Sequence, residues 1–422
     1  LVILVILITR YFVDIPVWDA WEMVPVIQKS YAGGLTINDI WRPHHGHRLF
    51  ISRPIILILA RLTHWNTFYE VILNIVFASG IFLLILSQIK QSFGNKKFPP
   101  TLVFILSLLI FSINQFENWL LGFTLHIFLH VLVVVIGVKL LTGPELKRKH
   151  ICGAFVAGLV ATGTFATGLI FWWIALLLIQ VHQNTKTSLS RYVAAFWIGT
   201  SLAITFIYLY KFNSETQTFW LANATNWVNL MLFTFMYLGR PITIFLYLDT
   251  FWGMFLGLYV SVTTSVIIFF LVKQKQKHRV IMPFIAYLFY AVSAGFFTAI
   301  GRAHLGIEAA RPSRYITVSN LFWIGVVVIW YLFYQQIHKR RIYSFVLKLL
   351  PVLFITFLVC VVLSSYRSLD LLISYSARFR EERAAALEYA KTGKLTVFYQ
   401  NAETMKQRIE VLRKYKLSVF RE

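Results

Sequence analysis

Apolar runs of roughly 15 to 25 residues recur from one end of this sequence to the other, and a chain patterned that way has few folds open to it. As helices, such runs reach most or all of the way across the ~30 Å hydrocarbon core of a bilayer. Within lipid, a helix satisfies its backbone inside one segment, which isolated strands and loops cannot do. Only 14% of the 422 residues are charged, against about 25% in soluble domains, too few to cover an aqueous surface. The expected fold is an all-α polytopic membrane protein.

Spans are expected near 1–13, 67–89, 99–115, 120–141, 150–164, 168–183, 192–211, 250–273, 280–300, 317–336 and 343–364, eleven in all. The run "LVILVILITRYFV" reads as a first spanning helix whose start is missing; no small-residue cleavage site follows it, which argues against a signal peptide. Residues 1–364 would form the transmembrane domain and 365–422 a small extracytoplasmic helical tail. Residues 228–247 are apolar but broken by Gly239-Arg240-Pro241, and are expected to be a re-entrant or surface-lying helical pair.

The 40 Lys and Arg outnumber the 17 Asp and Glu, for a net charge of +23. In a soluble protein such a surplus suggests nucleic acid. Here much of it sits in short loops: "KQSFGNKK", "ELKRKH", "KTSLSR", "KQKQKHR" and "HKRR" hold a single acid, Glu145. Topology and anionic lipid headgroups account for that distribution, and no nucleic-acid partner is expected. By the positive-inside rule these loops are cytoplasmic. Residues 14–66, 115–119, 163–167, 212–249, 301–316 and the tail then lie outside. Within 14–66, "DAWEMVPVIQKSYAGG" and "HGHRLFISRPIILILARL" read as two surface-lying helices, with Arg48, Arg53 and Arg61 snorkelling to headgroups.

The outer set carries nearly all the remaining chemistry. Asp14, Asp19 and Glu22 offer a general base or metal-binding carboxylate, or simply a cap and a solvated face. "RPHHGHR" places His47 and Arg48 in a basic turn suited to an anion; a zinc site and a plain surface cluster are the other readings, and the spacing matches no zinc helix. Glu117 stands at an outer helix end. His126 and His130, four residues apart on one face, line a polar cavity or are satisfied by neighbouring helices. "TGTFATGLIFWW" joins two short spans, as half-helices around a ligand or as a tight turn. "GRAHLGIEAARPSRY" supplies Arg302, Arg311 and Arg314, whose planar forks suit phosphate if they are not paired with acids. Asn223-Ala-Thr225 matches a glycosylation sequon. Cys152 and Cys360 look like packing residues. The absence of Walker, HExxH, GxSxG and CxxC patterns argues against ATPases, zinc proteases and serine hydrolases.

Taken together, the acid after the first span, the two surface helices, "HHGHR", "QFEN", "TFATGL" and "ARPSRY" resemble a group of bacterial membrane proteins that in turn resembles the GT-C glycosyltransferases. The resemblance covers most of the spanning region. It implies a multi-pass enzyme of the bacterial inner membrane, moving a sugar from a polyprenyl-phosphate donor to an extracytoplasmic acceptor. An acid in the first external loop would serve as base or metal ligand: Asp19, in "WDAW", matches that position best and Asp14 second. His47, Arg48, Arg302, Arg311 and Arg314 would grip the donor phosphate, with Glu117, His126 and His130 lining the cavity. The chain departs from the pattern in having no paired acids at the loop start and only a small tail, which leaves open whether a divalent cation takes part. A lipid-linked-sugar flippase or transporter, a lipid-linked-glycan ligase and a non-catalytic subunit with membrane-complex partners are the rival readings.

Overall fold

The structure, a computed structural model, describes residues 1–44, 46–93, 99–182, 188–210, 226–246, 248–273, 278–337, 344–395 and 401–421. The sequon, His45, "HKRR" and parts of the other basic loops lie outside the described residues. The regular structure of the described residues is all helical, with no strand and a single isolated bridge pairing His44 with His47.

The helices, in order, are α1 Val2–Tyr11, α2 Val24–Ala32, α3 Ile37–Trp41, α4 Ser52–Thr63, α5 Phe68–Phe93, α6 Pro100–Ile110, α7 Phe116–Leu120, α8 Leu125–Leu141 and α9 Arg148–Thr164. They continue with α10 Gly168–His182, α11 Ser188–Leu209, α12 Trp227–Gly239, α13 Asp249–Lys273, α14 His278–Arg302, α15 Ile316–Ile337, α16 Ser344–Thr392 and α17 Ala402–Lys414.

Among the described residues, eight helical segments are long and apolar enough to cross a membrane, rather than the expected eleven. The expected spans at 1–13, 150–164 and 168–183 correspond to the shorter α1, α9 and α10, of 10, 17 and 15 residues. Helix α12 has 13 residues, about 20 Å, which is short of a ~30 Å core. It is not surface-lying: Leu230, Phe233, Met236 and Tyr237 are buried in the bundle core with residues of α14 and α15.

Two cores hold the molecule together. The larger runs through the helix bundle, from Leu4 and Ile8 to Val328 and Val361. The second lies at one end and joins Val17, Trp21, Val24 and Ile27 to Ile56 and Ala60 of α4, Leu372 and Phe379 of α16, and Met405, Ile409 and Leu412 of α17. The tail is therefore no separate cap. Helix α16 runs unbroken through the expected boundary at 364, and its far half packs with the 14–66 segment as one layer.

That layer also corrects the reading of the two surface helices. Residues 18–32 form a 3-10 turn, Trp18–Met23, followed by α2, which ends at Gly33 in the left-handed region. Of the second segment only 52–63 is helical. Arg48 and Arg53 do not reach outward, because they are buried and backbone carbonyls take up their donors, whereas Arg61 stays exposed. Arg53, 3% exposed, donates to Ile40 O (2.9 Å) and Arg42 O (2.5 Å), while Arg61 donates to Ser30 O and covers the Tyr31 ring at 4.2 Å.

The segments expected outside converge on one end of the bundle. Ile51 N donates to Gly163 O (2.9 Å), Arg314 N to Glu117 Oε2 (3.1 Å) and Ser418 N to His64 O (2.8 Å).

Candidate functional site

The turn at that end is closed by His44 and His47. His44 N donates to His47 O (2.7 Å) and His47 N to His44 O (2.8 Å), with Gly46 at φ +87° supplying the left-handed step an L side chain resists. Residues opposed across an antiparallel bridge present their side chains to the same face, so His44 and His47 stand side by side. The turn is fixed from beneath by Arg48, 2% exposed. Its guanidinium donates to Tyr208 O (2.8 Å), Trp41 O (2.9 Å) and Tyr210 O (2.5 Å), and its backbone N–H to the Tyr208 hydroxyl (2.9 Å). A cation there satisfies the carbonyl end of α11, where the helix dipole favours it.

Two acids face the turn from the 3-10 segment. Asp19 and Glu22, three residues apart, share one side of it. His44 Nδ1 lies 2.9 Å from Glu22 Oε2, and Nε2 lies 3.8 Å from Asp19 Oδ2. Burial works to lower the pKa of His44, but the hydrogen bonds and charges of Asp19 and Glu22 outweigh it and the net shift is upward. The Asp19 side chain remains 46% exposed, open to a partner. Trp18, just before it, sits at φ +48°, a conformation costing roughly 1–2 kcal/mol; the edge contacts of its ring with Tyr375 and Phe379 hold it there.

A small pocket opens above these groups, lined by Trp18, Asp19, His44, His47, Phe123, His126, Phe165, Arg302, Arg314 and Tyr315. The His47 ring stacks on Phe165 at 4.1 Å and His44 meets Phe123 edge-on at 5.2 Å. His126 Nδ1 lies 2.8 Å from Phe123 O. A carbonyl only accepts, so Nδ1 carries the proton and the other ring nitrogen is an acceptor while the ring is neutral. Arg302 forms no ion pair among the described residues, and Arg314 stands 3.8 Å from Glu117 Oε2. Phe165 is delivered by the break between α9 and α10. A Cβ on Gly168 would lie 2.3 Å from the Ala161 backbone, so this turn closes only on glycine.

His47, Phe165, Arg302 and Tyr315 also wall a second cavity of 370 Å³. Its remaining lining is mainly apolar, including Leu169, Leu209, Phe297, Ile300 and Leu305. A polar, carboxylate-bearing pocket and an apolar chamber thus share a wall.

Of the residues singled out in the sequence, Asp19, His47, Arg302, Arg314 and His126 meet at this pocket. Glu117 is buried behind Arg314. The others are held elsewhere. Arg48 is committed to carbonyls. Arg311 pairs with Asp249 (3.1 Å) and Glu308 (2.6 Å), and Asp249 also pairs with Arg240. Asp14 accepts from Thr67 N (3.0 Å) and Oγ1 (2.9 Å) and pairs with Arg421, in a different cavity. His130 is satisfied in the core by Ala161 O (3.1 Å), Thr167 Oγ1 (3.1 Å) and the Tyr290 hydroxyl. Among the described residues, no group of three or more His, Cys, Asp or Glu is arranged to hold a metal ion. The aromatic walls Trp18, Phe123, Phe165 and Tyr315 were missed: in a chain with 17% aromatics, nothing local marks them. No family model, curated protein or solved structure matches this chain.

Proposed function

We propose that this chain is a GT-C-like integral membrane glycosyltransferase of the bacterial inner membrane, moving a sugar from a polyprenyl-phosphate donor to an acceptor on the extracytoplasmic side. One observation carries the reading: the pocket holding Asp19, Arg302 and Arg314 shares a wall with an apolar 370 Å³ cavity. That pairing suits a donor with an isoprenoid tail and an anionic, sugar-bearing head.

In this reading the tail lies along Phe297, Leu209 and Leu305, and Arg302 and Arg314 hold the phosphate. The acceptor hydroxyl attacks the anomeric carbon and gives its proton to Asp19 as the new C–O bond forms. The bond from that carbon to the phosphate oxygen breaks, and its electron pair leaves with polyprenyl phosphate. Negative charge grows on the phosphate in that step, where fixed guanidinia are most effective. His44, held between Glu22 and Asp19, orients the base.

The test is release of polyprenyl phosphate from radiolabelled polyprenyl-phosphate hexoses and pentoses in membranes containing the protein. Asp19→Asn is expected to insert normally and to lose about 10²–10⁴-fold in rate, the usual contribution of a positioned base. Full activity in Asp19→Asn overturns the base assignment. Wild-type protein inert toward every donor, or moving donors across the bilayer without cleaving them, overturns the enzyme reading in favour of a scaffold or a flippase.

A further inference from the structure

Asp14 belongs to a third, larger cavity of 610 Å³, where the chain leaves α1 and passes between the start of α5 and the far half of α16. Its charged lining is unbalanced: Arg380, Arg383 and Arg421 against Asp14 alone. Asp14 is already occupied by Thr67 and Arg421, which neutralises one arginine. Arg380 gives one N–H to Arg10 O at 3.4 Å, and among the described residues neither Arg380 nor Arg383 is paired with a carboxylate. Two guanidinium charges are left without a counter-ion on the cavity wall.

The rest of the lining is largely apolar. Phe12, Val13, Phe68 and Leu387 contribute, with the Phe12 and Phe68 rings 5.1 Å apart. From that point α1 and α5 carry exposed apolar faces along the bundle: Val2 is 74% exposed, Ile6 57% and Val76 54%. Cationic groups thus sit at the end of a solvent-averse helical surface. That order of chemistry fits a molecule with an anionic head and acyl tails.

We propose that this cavity binds the phosphate headgroup of an anionic membrane lipid, with its acyl chains against α1 and α5. The site is separate from the Asp19 pocket and stands whether or not sugar transfer occurs there. Arginine suits it because the planar fork engages two phosphate oxygens, and a phosphate beside Arg380 and Arg383 supplies the charge the fold leaves out.

The experiment is native mass spectrometry of the whole chain in neutral detergent, titrated with phosphatidylglycerol or phosphatidylcholine. Phosphatidylglycerol is expected to stay bound where phosphatidylcholine does not. The double variant Arg380→Gln/Arg383→Gln is expected to bind it roughly 10- to 30-fold more weakly, from the energy a basic side chain gains near anionic lipid. Arg383→Gln alone, at an exposed position that tolerates substitution, is expected to lose about fivefold and keeps the test decisive if the double variant misfolds. Arg367→Gln, an exposed arginine outside the cavity, is expected to bind as wild type. Equal retention of the two lipids, or unchanged binding by the arginine variants, overturns the site. Displacement of the lipid by millimolar inorganic phosphate overturns the lipid as its source, since a free anion would then suffice.

Discussion

Arg48, Arg311 and Arg314 carry the same side chain into three different surroundings, and their variants are expected to separate accordingly. Arg48→Ala strips donors from three backbone carbonyls; at about 1–3 kcal/mol for each buried group left unpaired, it is expected to lower stability by at least about 3 kcal/mol, read as a melting shift in detergent. Arg311→Lys keeps a charge beside Asp249 and Glu308 and is expected to leave donor binding unchanged. Arg314→Lys loses the fork at the pocket and is expected to weaken polyprenyl-phosphate binding about tenfold; equal affinities for the two lysine variants would remove Arg314 from the donor site. His44 adds a pH signature. Its pKa is raised in the folded protein, so its stabilisation is fully present below its unfolded value of about 6.5 and is lost as pH rises through the folded value. The melting difference between wild type and His44→Gln is therefore expected to be larger at pH 5.5 than at pH 8.5, and a gap independent of pH would refute the carboxylate cradle. At this scale the sequence is informative about which residues are costly, not about who pairs with them. Asp19 and the histidine turn stand out because polar groups are rare in so oily a chain. Arg48 and Arg302 look alike in one dimension, since whether carbonyls or a void surround a guanidinium depends on contacts more than a hundred residues away.

Among the elements, the long apolar runs of α5, α13, α14 and α15 were legible because length and hydropathy alone decide a span. The break between α9 and α10 was legible as well: two short spans were expected on either side of a Gly/Thr-rich break, and helices of 17 and 15 residues flank a turn there. What the sequence did not show is that this turn closes only on Gly168. That closeness is tertiary and leaves no periodic trace. Gly168→Ala is expected to cost about 1–3 kcal/mol as an overpacked contact and to displace Phe165 from both cavities. Thermal unfolding checks the first effect, and accessibility of a cysteine at 165 the second; a wild-type melting point with an unchanged label would mean the turn has room to spare. The 14–66 segment was read correctly as structured. The buried side of its amphipathic stripe packs in one core with residues of α16 and α17, and a stripe does not say which apolar partner covers it.

For the whole molecule, the distribution of lysine and arginine is the ground for expecting the Asp19 layer outside the cytoplasm, an expectation that topology mapping tests. With Cys152 and Cys360 replaced by serine, an impermeant thiol reagent on intact cells is expected to label Lys394→Cys and not Lys275→Cys; labelling of 275 alone, or of both equally, would invert or dissolve this topology. The long helix α16 then acquires a meaning beyond connection. Its 49 residues form a rod of about 74 Å, more than twice the ~30 Å hydrocarbon thickness, rooted in the helix bundle at one end and seated in the Asp19 layer at the other. A helix turns about 100° for each residue, so the rod sets both the height and the compass bearing of everything attached to it. Adding one residue near its middle would swing Tyr375 and Phe379 away from Trp18 while raising them by only about 1.5 Å. The position of the candidate base relative to the helix bundle is thus written as a residue count in a segment that packs against its neighbour Trp18.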